Sequence, residues 1–373
     1  MAQSSLSIMY KHLLRPLLFR FDPEFTHELT LEWLSRAGKL SPVISLLQRF
    51  YGDRVHDLPV NLMGIQFSGP VGLAAGLDKE ARCITALSAF GFSHLELGTV
   101  TPEPQPGNPA PRMFRLPEQQ AIINRMGFNS GGLQPFLENI ASTRKTVPLG
   151  INLGKNAITP IDQAAGDYIT GLKRLYLYAD YFTINISSPN TKNLRDLQSE
   201  DALDAVLSEI MKARQQLADE FKRKVPVAVK IAPDIENNSI PAIAQLLMKH
   251  KLDAVIATNT TIDHSSVKGC EFADEAGGLS GKPLRDRANE VVSLLYRELQ
   301  GKVAIIGVGG ISSSEDAWQR MLAGAEMVQI YSSFIYDGPG IVAEIINGLA
   351  QRVTESGSES LQQAIKSARG EYK

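Results

Sequence analysis

Cysteine is scarce in this chain: Cys83 and Cys270, in unrelated contexts, are the only two among 373 residues. That excludes a disulfide framework and a zinc knuckle and fits a reducing compartment; each cysteine reads first as a small core or loop residue. No run of about 18 apolar residues occurs, so no membrane-crossing helix is expected. The N-terminus lacks the uninterrupted apolar core and small-residue cleavage site of a secretory signal. Neither sign of charge is in excess: 38 Lys and Arg stand against 40 Asp and Glu, a net charge of −2. This removes the electrostatic case for nucleic acid. The six histidines are scattered, no two carboxylates are spaced as an acid–base couple, and no metal-ligating cluster appears. What remains, 43% hydrophobic and 21% charged, is the composition of a soluble globular protein, long enough for one large α/β domain and an appendage.

The most informative stretch is Asn185-Ile-Ser-Ser-Pro-Asn-Thr-Lys-Asn-Leu-Arg195, which follows the apolar run Tyr181-Phe-Thr-Ile184. A buried strand ending in so many hydroxyls and carboxamides is either turning at a surface or building a site. From residue 71 onward, short β-type runs alternate with longer segments of helical period. The strand candidates are Val71–Ala75, His94–Gly98, Leu149–Leu153, Phe182–Ile186, Val227–Ile231, Ala254–Thr258, Ala304–Val308 and Met327–Tyr331. Helices are expected over Ala202–Phe221, Ile240–His250, Arg285–Leu299 and Ser314–Ala323, with Asp201 and Ser314 as caps or first-turn residues. Eight such units predict a (β/α)8 TIM barrel, for which about 250 residues is typical. The rival doubly wound sheet needs a glycine fingerprint that Ala74-Ala-Gly-Leu-Asp-Lys79 lacks.

Lys79, Thr99, Asn152, Asn185 with Ser188, Lys230, Thr258 with Asn259, Gly309-Gly310 and Tyr331-Ser332 fall at successive strand C-termini. In a barrel those ends share one mouth, where the chemistry sits. Two long insertions border it. Thr99–Asn129 starts Pro-rich and then reads as a hairpin, Arg112–Leu116 with Ala121–Asn124; Thr260–Gly281 has the length of a lid.

Residues 1–57 read as a helical extension, 58–354 as the barrel and 355–373 as a polar tail prone to fray. Leu6–Phe21 carries leucines at helical spacing with Lys11, Arg15 and Arg20, and Pro16 predicts a break or kink. Asp22-Pro23 and Ser41-Pro42 read as N-cap and N1 of two further helices, Glu24–Ala37 and Val43–Phe50. So small a unit must bury its apolar residues against the barrel, another chain or lipid. A basic, leucine-rich face suits an anionic membrane surface; a helical cap docked on the barrel explains it as well.

Gly307-Val-Gly-Gly-Ile311 and Tyr331-Ser-Ser333 end strands seven and eight, where backbone N–H groups can approach the phosphate of flavin mononucleotide or of a substrate; a tight structural turn would use the same glycines. Lys230, a charge inside Val227-Ala-Val-Lys-Ile-Ala232, needs an anionic partner. It fits either a Schiff-base aldolase or a group stabilising a reduced flavin. Lys79 poses the same choice, or simply neighbours Asp78.

Nine motifs in order resemble dihydroorotate dehydrogenases: Ala75-Gly-Leu-Asp-Lys79, Gly98-Thr-Val-Thr101, Asn124-Arg-Met-Gly-Phe128, Asn185-Ile-Ser-Ser-Pro-Asn-Thr191, Val229-Lys-Ile-Ala-Pro233, Ala257-Thr-Asn-Thr-Thr261, Gly277-Gly-Leu-Ser-Gly281, Gly307-Val-Gly-Gly-Ile311 and Gln329-Ile-Tyr-Ser332. The resemblance implies oxidation of (S)-dihydroorotate to orotate in pyrimidine (UMP) synthesis, on a (β/α)8 barrel holding FMN. Serine at 188, where soluble members carry cysteine, and the N-terminal extension imply the quinone-using class. The absence of a membrane span and an Arg-rich targeting segment implies a bacterial enzyme, peripheral on the cytoplasmic side of the inner membrane.

By motif, Ser188 would be the base, with Thr191 and a water held near Phe128 as its relay. The flavin would be held by Ala75, Gly76, Thr99, Asn152, Asn185, Lys230, Thr258, Gly281, Gly310, Tyr331 and Ser332. Dihydroorotate would be held by Lys79, Asn124, Arg125, Met126, Gly127, Phe128, Asn185, Asn190, Asn259 and Thr260. A quinone passage through the N-terminal helices would take its polar contacts from His27, Arg115 and Tyr331, although His27 reads equally as a surface helix residue. No nucleic-acid partner is expected, and the expected oligomeric state leans to a monomer. The alternatives are another flavin barrel of the tRNA dihydrouridine reductase kind and a Schiff-base aldolase using Lys230.

Overall fold

The computed structural model describes residues 8–371. Eight parallel strands close into a barrel in chain order: Val71–Leu73, Leu95–Val100, Leu149–Leu153, Tyr181–Asn185, Val227–Ile231, Ala254–Ala257, Ala304–Val308 and Met327–Ile330. Each predicted strand is present within two residues of its expected bounds. The runs are apolar without alternation because both strand faces are covered, by the barrel interior and by the helical ring; every residue of Tyr181–Asn185 and of Val227–Ile231 is buried. The barrel helices after strands four to seven are Glu200–Phe221, Ile240–Lys249, Arg285–Leu299 and Ser314–Ala323. The last is capped by Ser313, whose hydroxyl accepts from the Asp316 N–H. A short hairpin, Val60–Leu62 with Ile65–Phe67, closes the N-terminal end of the barrel, where the Phe67 ring packs edge-on to His94.

Several local details differ from expectation or refine it. Pro16 distorts its helix without ending it: the preceding turn, Tyr10–Leu14, widens to π geometry, with the Arg15 N–H donating to the Tyr10 carbonyl. Widening the turn gives the proline ring the room that regular i→i−4 spacing denies it. Leu6, at the start of that predicted helix, lies outside the described residues. Ser41 is the first helical residue of Ser41–Phe50 rather than its cap, which is Leu40. The described part of the tail, to residue 371, is folded. It forms a helix, Leu361–Ala368, capped by Ser360, that buries Leu361, Ala364 and Ile365. Finally, the two insertions are one structure: Gly278–Gly281, from the second, adds to the hairpin Met113–Leu116/Ala121–Asn124 as a third antiparallel strand.

The N-terminal helices dock with their polar groups. Lys11 pairs with Asp337 at 2.8 Å, the Tyr10 hydroxyl donates to the Ile335 carbonyl, and Arg15 donates to that of Tyr336. Glu24 of helix Pro23–Gly38 grips Arg112 of the hairpin, and Glu28 pairs with Arg82. Of the two expected partners, membrane and barrel, Lys11 and Arg15 face the barrel, while apolar residues stand outside: Leu13 is 67%, Leu17 52%, Phe25 57% and Trp33 63% exposed. No described helix is long and apolar enough to cross a membrane.

Candidate active site

The strand C-termini open into one cavity of about 1280 Å³, entrance included, roofed by the three-stranded sheet. Ala75, Gly76, Thr99, Asn185, Lys230, Thr258, Gly281, Gly310, Tyr331 and Ser332 all line it, with Lys79, Asn124, Met126, Gly127, Phe128, Ser188, Asn190, Asn259 and Thr260. Five predicted residues do not. Asn152 lies one layer below the floor. Thr191 is buried, its hydroxyl without a protein partner among the described residues. Arg125 turns away, donating to Glu275 and to the Ala276 and Pro111 carbonyls, so it braces the roof. Arg115 donates to the Leu18 and Phe21 carbonyls and lies over the Phe19 ring at 4.3 Å, fastening the first helix to the hairpin. His27 sits near Lys79; burial first, and the Lys79 charge second, draw its imidazole down to about 4, so it is neutral at pH 7.

Polar side chains on the floor hold one another in register. Asn185 donates to the Thr99 hydroxyl and the Asn152 side-chain oxygen, both at 3.1 Å, and Thr99 donates to Asn152 at 2.6 Å. Asn259 donates to Ser187 at 2.9 Å, and Asn190 to the Asn124 carbonyl at 3.0 Å. Beneath them lies Glu96, fully buried, a residue that sequence reasoning missed. Its carboxylate accepts from Asn152 at 2.8 Å, Gln329 at 2.9 Å and Tyr181 at 3.0 Å. The signal was present: an acid inside the apolar run Leu95-Glu-Leu97 is as anomalous as Lys230 in its strand. Burial lowers the Lys230 ammonium from its ordinary value, and the Glu96 charge opposes the shift. Lys79 donates to Asn129, and burial, aided by Arg112, draws it down to about 8. It is not paired with Asp78, whose carboxylate accepts from the Arg82 and Cys83 backbone N–H groups.

One side of the cavity fits a phosphate. Gly309 and Gly310 both line it; a Cβ on Gly310, at φ +72°, would meet the Arg285 backbone at about 2.5 Å, so glycine is needed for this loop to pack against Arg285. The neighbouring Ser333 hydroxyl is buried without a protein partner, as a group awaiting an acceptor or donor would be. On the floor, Lys230 is 5% exposed with its ammonium free of protein hydrogen-bond partners among the described residues. A cradle, a cation and a row of amides suit a planar, polar cofactor carrying a phosphate.

Relatives agree. The dihydroorotate dehydrogenase family model matches residues 57–353. A protein of Burkholderia multivorans named dihydroorotate dehydrogenase (quinone) is 51% identical over 339 residues, covering 91% of this chain and 97% of its own. One of Paraburkholderia phymatum with the same name is 52% identical over 340 residues, covering 91% and 97%. Among solved structures, the dihydroorotate dehydrogenase of Eimeria tenella in complex with ferulenol superposes with a TM-score of 0.83 at 37% identity, covering 92% of this chain and 95% of that one. The aldolase and dihydrouridine reductase readings fall away, and the chain belongs to the dihydroorotate dehydrogenase family.

Proposed function

We propose that this chain oxidises (S)-dihydroorotate to orotate in pyrimidine biosynthesis, with FMN as the bound flavin and a membrane quinone as the final electron acceptor. The observation that carries the reading is the convergence in one cavity of Ser188, four asparagines, Lys79 and a phosphate cradle. Bound there, FMN would supply the acceptor for the hydride leaving C6 of the substrate. The chain's own residues do the rest. The Lys79 ammonium meets the substrate carboxylate as a charge-assisted pair. Asn124, Asn190 and Asn259 match the alternating donors and acceptors of the pyrimidine edge, and a ring lacking these would leave their remaining hydrogen-bonding capacity in the cavity unmet.

Ser188, 6% exposed, receives the C5 proton on its Oγ. A hydroxyl is a weak base, so it must pass its own proton on as it takes another. Thr191, three residues along, has a buried hydroxyl with no protein partner and is the relay; Phe128 closes that side of the cavity against bulk water. Lys230 places positive charge under the position where negative charge accumulates.

The extension, residues 1–57, is proposed as the membrane and quinone element. Its outward Leu13, Leu17, Phe25 and Trp33 suit the acyl boundary of a bilayer. From it an apolar cluster leads inward: Phe19 packs on Met113, Ile122, Met126 and Tyr336, and all four of these line the cavity. In this reading the protein sits on the cytoplasmic side of a bacterial inner membrane, and His27, Arg115 and Tyr331 are the polar groups nearest the passage.

The test is an anaerobic visible spectrum of the purified protein. A yellow flavin spectrum that bleaches on adding L-dihydroorotate and returns on adding a quinone is expected. A flavin that stays oxidised in the presence of L-dihydroorotate would overturn the substrate assignment.

A further inference from the structure

Arg320 is fully buried, the largest such side chain in the described protein. It extends from helix Ser314–Ala323, outside the barrel, toward the end of strand seven. Its four hydrogen bonds go to neutral acceptors: the Val308 carbonyl at 2.9 Å, the Gly309 carbonyl at 2.7 Å, the Arg285 carbonyl at 3.2 Å and the Asn289 side-chain oxygen at 2.5 Å. The nearest acid, Asp316, is occupied elsewhere, accepting from the Ser312 N–H and hydroxyl, the Ser313 hydroxyl and Arg285. Burial draws the guanidinium down to about 9, which leaves it charged at neutral pH. A buried cation satisfied only by dipoles is costly unless an anion completes it.

The two carbonyls it holds decide which way the loop faces. In a trans peptide the N–H points opposite the C=O. Drawing the Val308 and Gly309 carbonyls outward to Arg320 therefore turns the Gly309 and Gly310 N–H groups inward, and both residues line the cavity. No backbone carbonyl among the described residues accepts from Gly309, Gly310 or Ile311. Gly307, one strand position earlier, belongs to the same device: a Cβ there would come about 2.5 Å from the Arg320 Cγ, so this glycine makes room for the arginine rather than for a ligand.

We propose that Arg320 is the positioning residue of a phosphate subsite: from behind the loop it aims the Gly309 and Gly310 amides and supplies the charge that a phosphomonoester dianion requires, without touching it. The inference rests on the reading of FMN as the cofactor. Flavin-stripped full-length protein, titrated by fluorescence with FMN and with riboflavin, tests both. The two ligands differ only in the phosphate. Arg320→Met should weaken FMN binding by roughly ten- to a hundredfold, the scale of a lost charge-assisted interaction, while riboflavin affinity moves less than about twofold. Arg320→Lys, which keeps charge but loses the fork, and Asn289→Ala, which loosens the arginine, should give smaller losses of the same FMN-selective kind and remain informative where Arg320→Met does not fold. Equal losses for the two ligands, or a preference for FMN that survives in every variant, would overturn the role of Arg320 alone. A wild-type protein that binds riboflavin as tightly as FMN would sink the cofactor reading and this inference with it.

Discussion

Ser188 and Lys79 divide the work of the site, and each has its own signature. Ser188 contributes a proton acceptor rather than binding energy, so Ser188→Ala should keep flavin and substrate affinity while single-turnover flavin reduction slows by about 10²- to 10⁴-fold, the usual worth of a general base. Stopped-flow bleaching measures this, and an unchanged rate would remove Ser188 from the chemistry. Thr191→Val should slow the same step without changing substrate affinity. Lys79 has its pKa drawn down to about 8: below that pH it is an ammonium and holds the substrate carboxylate, and above it the charge is lost. Because kcat/KM reports the free enzyme, it should fall by about tenfold per pH unit as pH rises through Lys79's pKa. A pH profile that stays flat there would contradict the carboxylate contact. Both residues were readable from their positions at strand ends. Glu96 left a signal, an acid inside an apolar strand, but its partners Asn152, Gln329 and Tyr181 were not readable. Arg320 on a helix left none, because such a charge announces its role only through the groups that meet it.

At the scale of elements, the roof and the extension carry the interest. The roof is a three-stranded sheet whose third strand comes from a different insertion, and Arg125, bonded to Glu275 and Ala276, ties the two together. Substituting Arg125 by alanine should therefore loosen the roof and raise KM for dihydroorotate more than it lowers kcat, since the side chain reaches no substrate position. The extension turns part of its polar set inward and part of its apolar set outward: Lys11, Arg15, Glu24 and Glu28 bond to the barrel and hairpin, while Leu13, Leu17, Phe25 and Trp33 are exposed. Replacing Leu17, Phe25 and Trp33 together by glutamate should abolish sedimentation with lipid vesicles and lower quinone turnover, while flavin reduction by dihydroorotate is untouched. Retained vesicle binding would mean that another surface carries the contact. The sequence showed the leucines and the basic residues but not which set faces the barrel; that depended on Asp337 and on the carbonyls of Ile335 and Tyr336, far along the chain.

At the scale of the molecule, the barrel is closed by contacts between its ends. Val71–Leu73 pairs with Met327–Ile330, and the C-terminal helix Leu361–Ala368 packs on helices Ser314–Ala323 and Gly340–Glu355, with Arg369 donating to the Leu322 and Met321 carbonyls. If that helix belongs to the same cooperative unit, Leu361→Ala should cost about 2–5 kcal/mol, the range for a fully buried leucine, read as a lowered denaturant midpoint with the slope unchanged. No change would mean that the helix unfolds separately.

The sequence by itself determined the eight strand–helix units, their order and the gathering of polar residues at one end. Strand runs, helical period and caps are local, and a closed parallel barrel leaves its strand C-termini only one place to go. Tertiary structure decided what locality does not encode. It made one roof of two insertions, turned polar groups of the first helix inward, folded a polar tail into a helix, and set Glu96 beneath the cavity and Arg320 behind its strand-seven loop. Each of these depends on a partner far away in the chain, and a buried charge or an unpaired strand edge is resolved only by the group that arrives beside it.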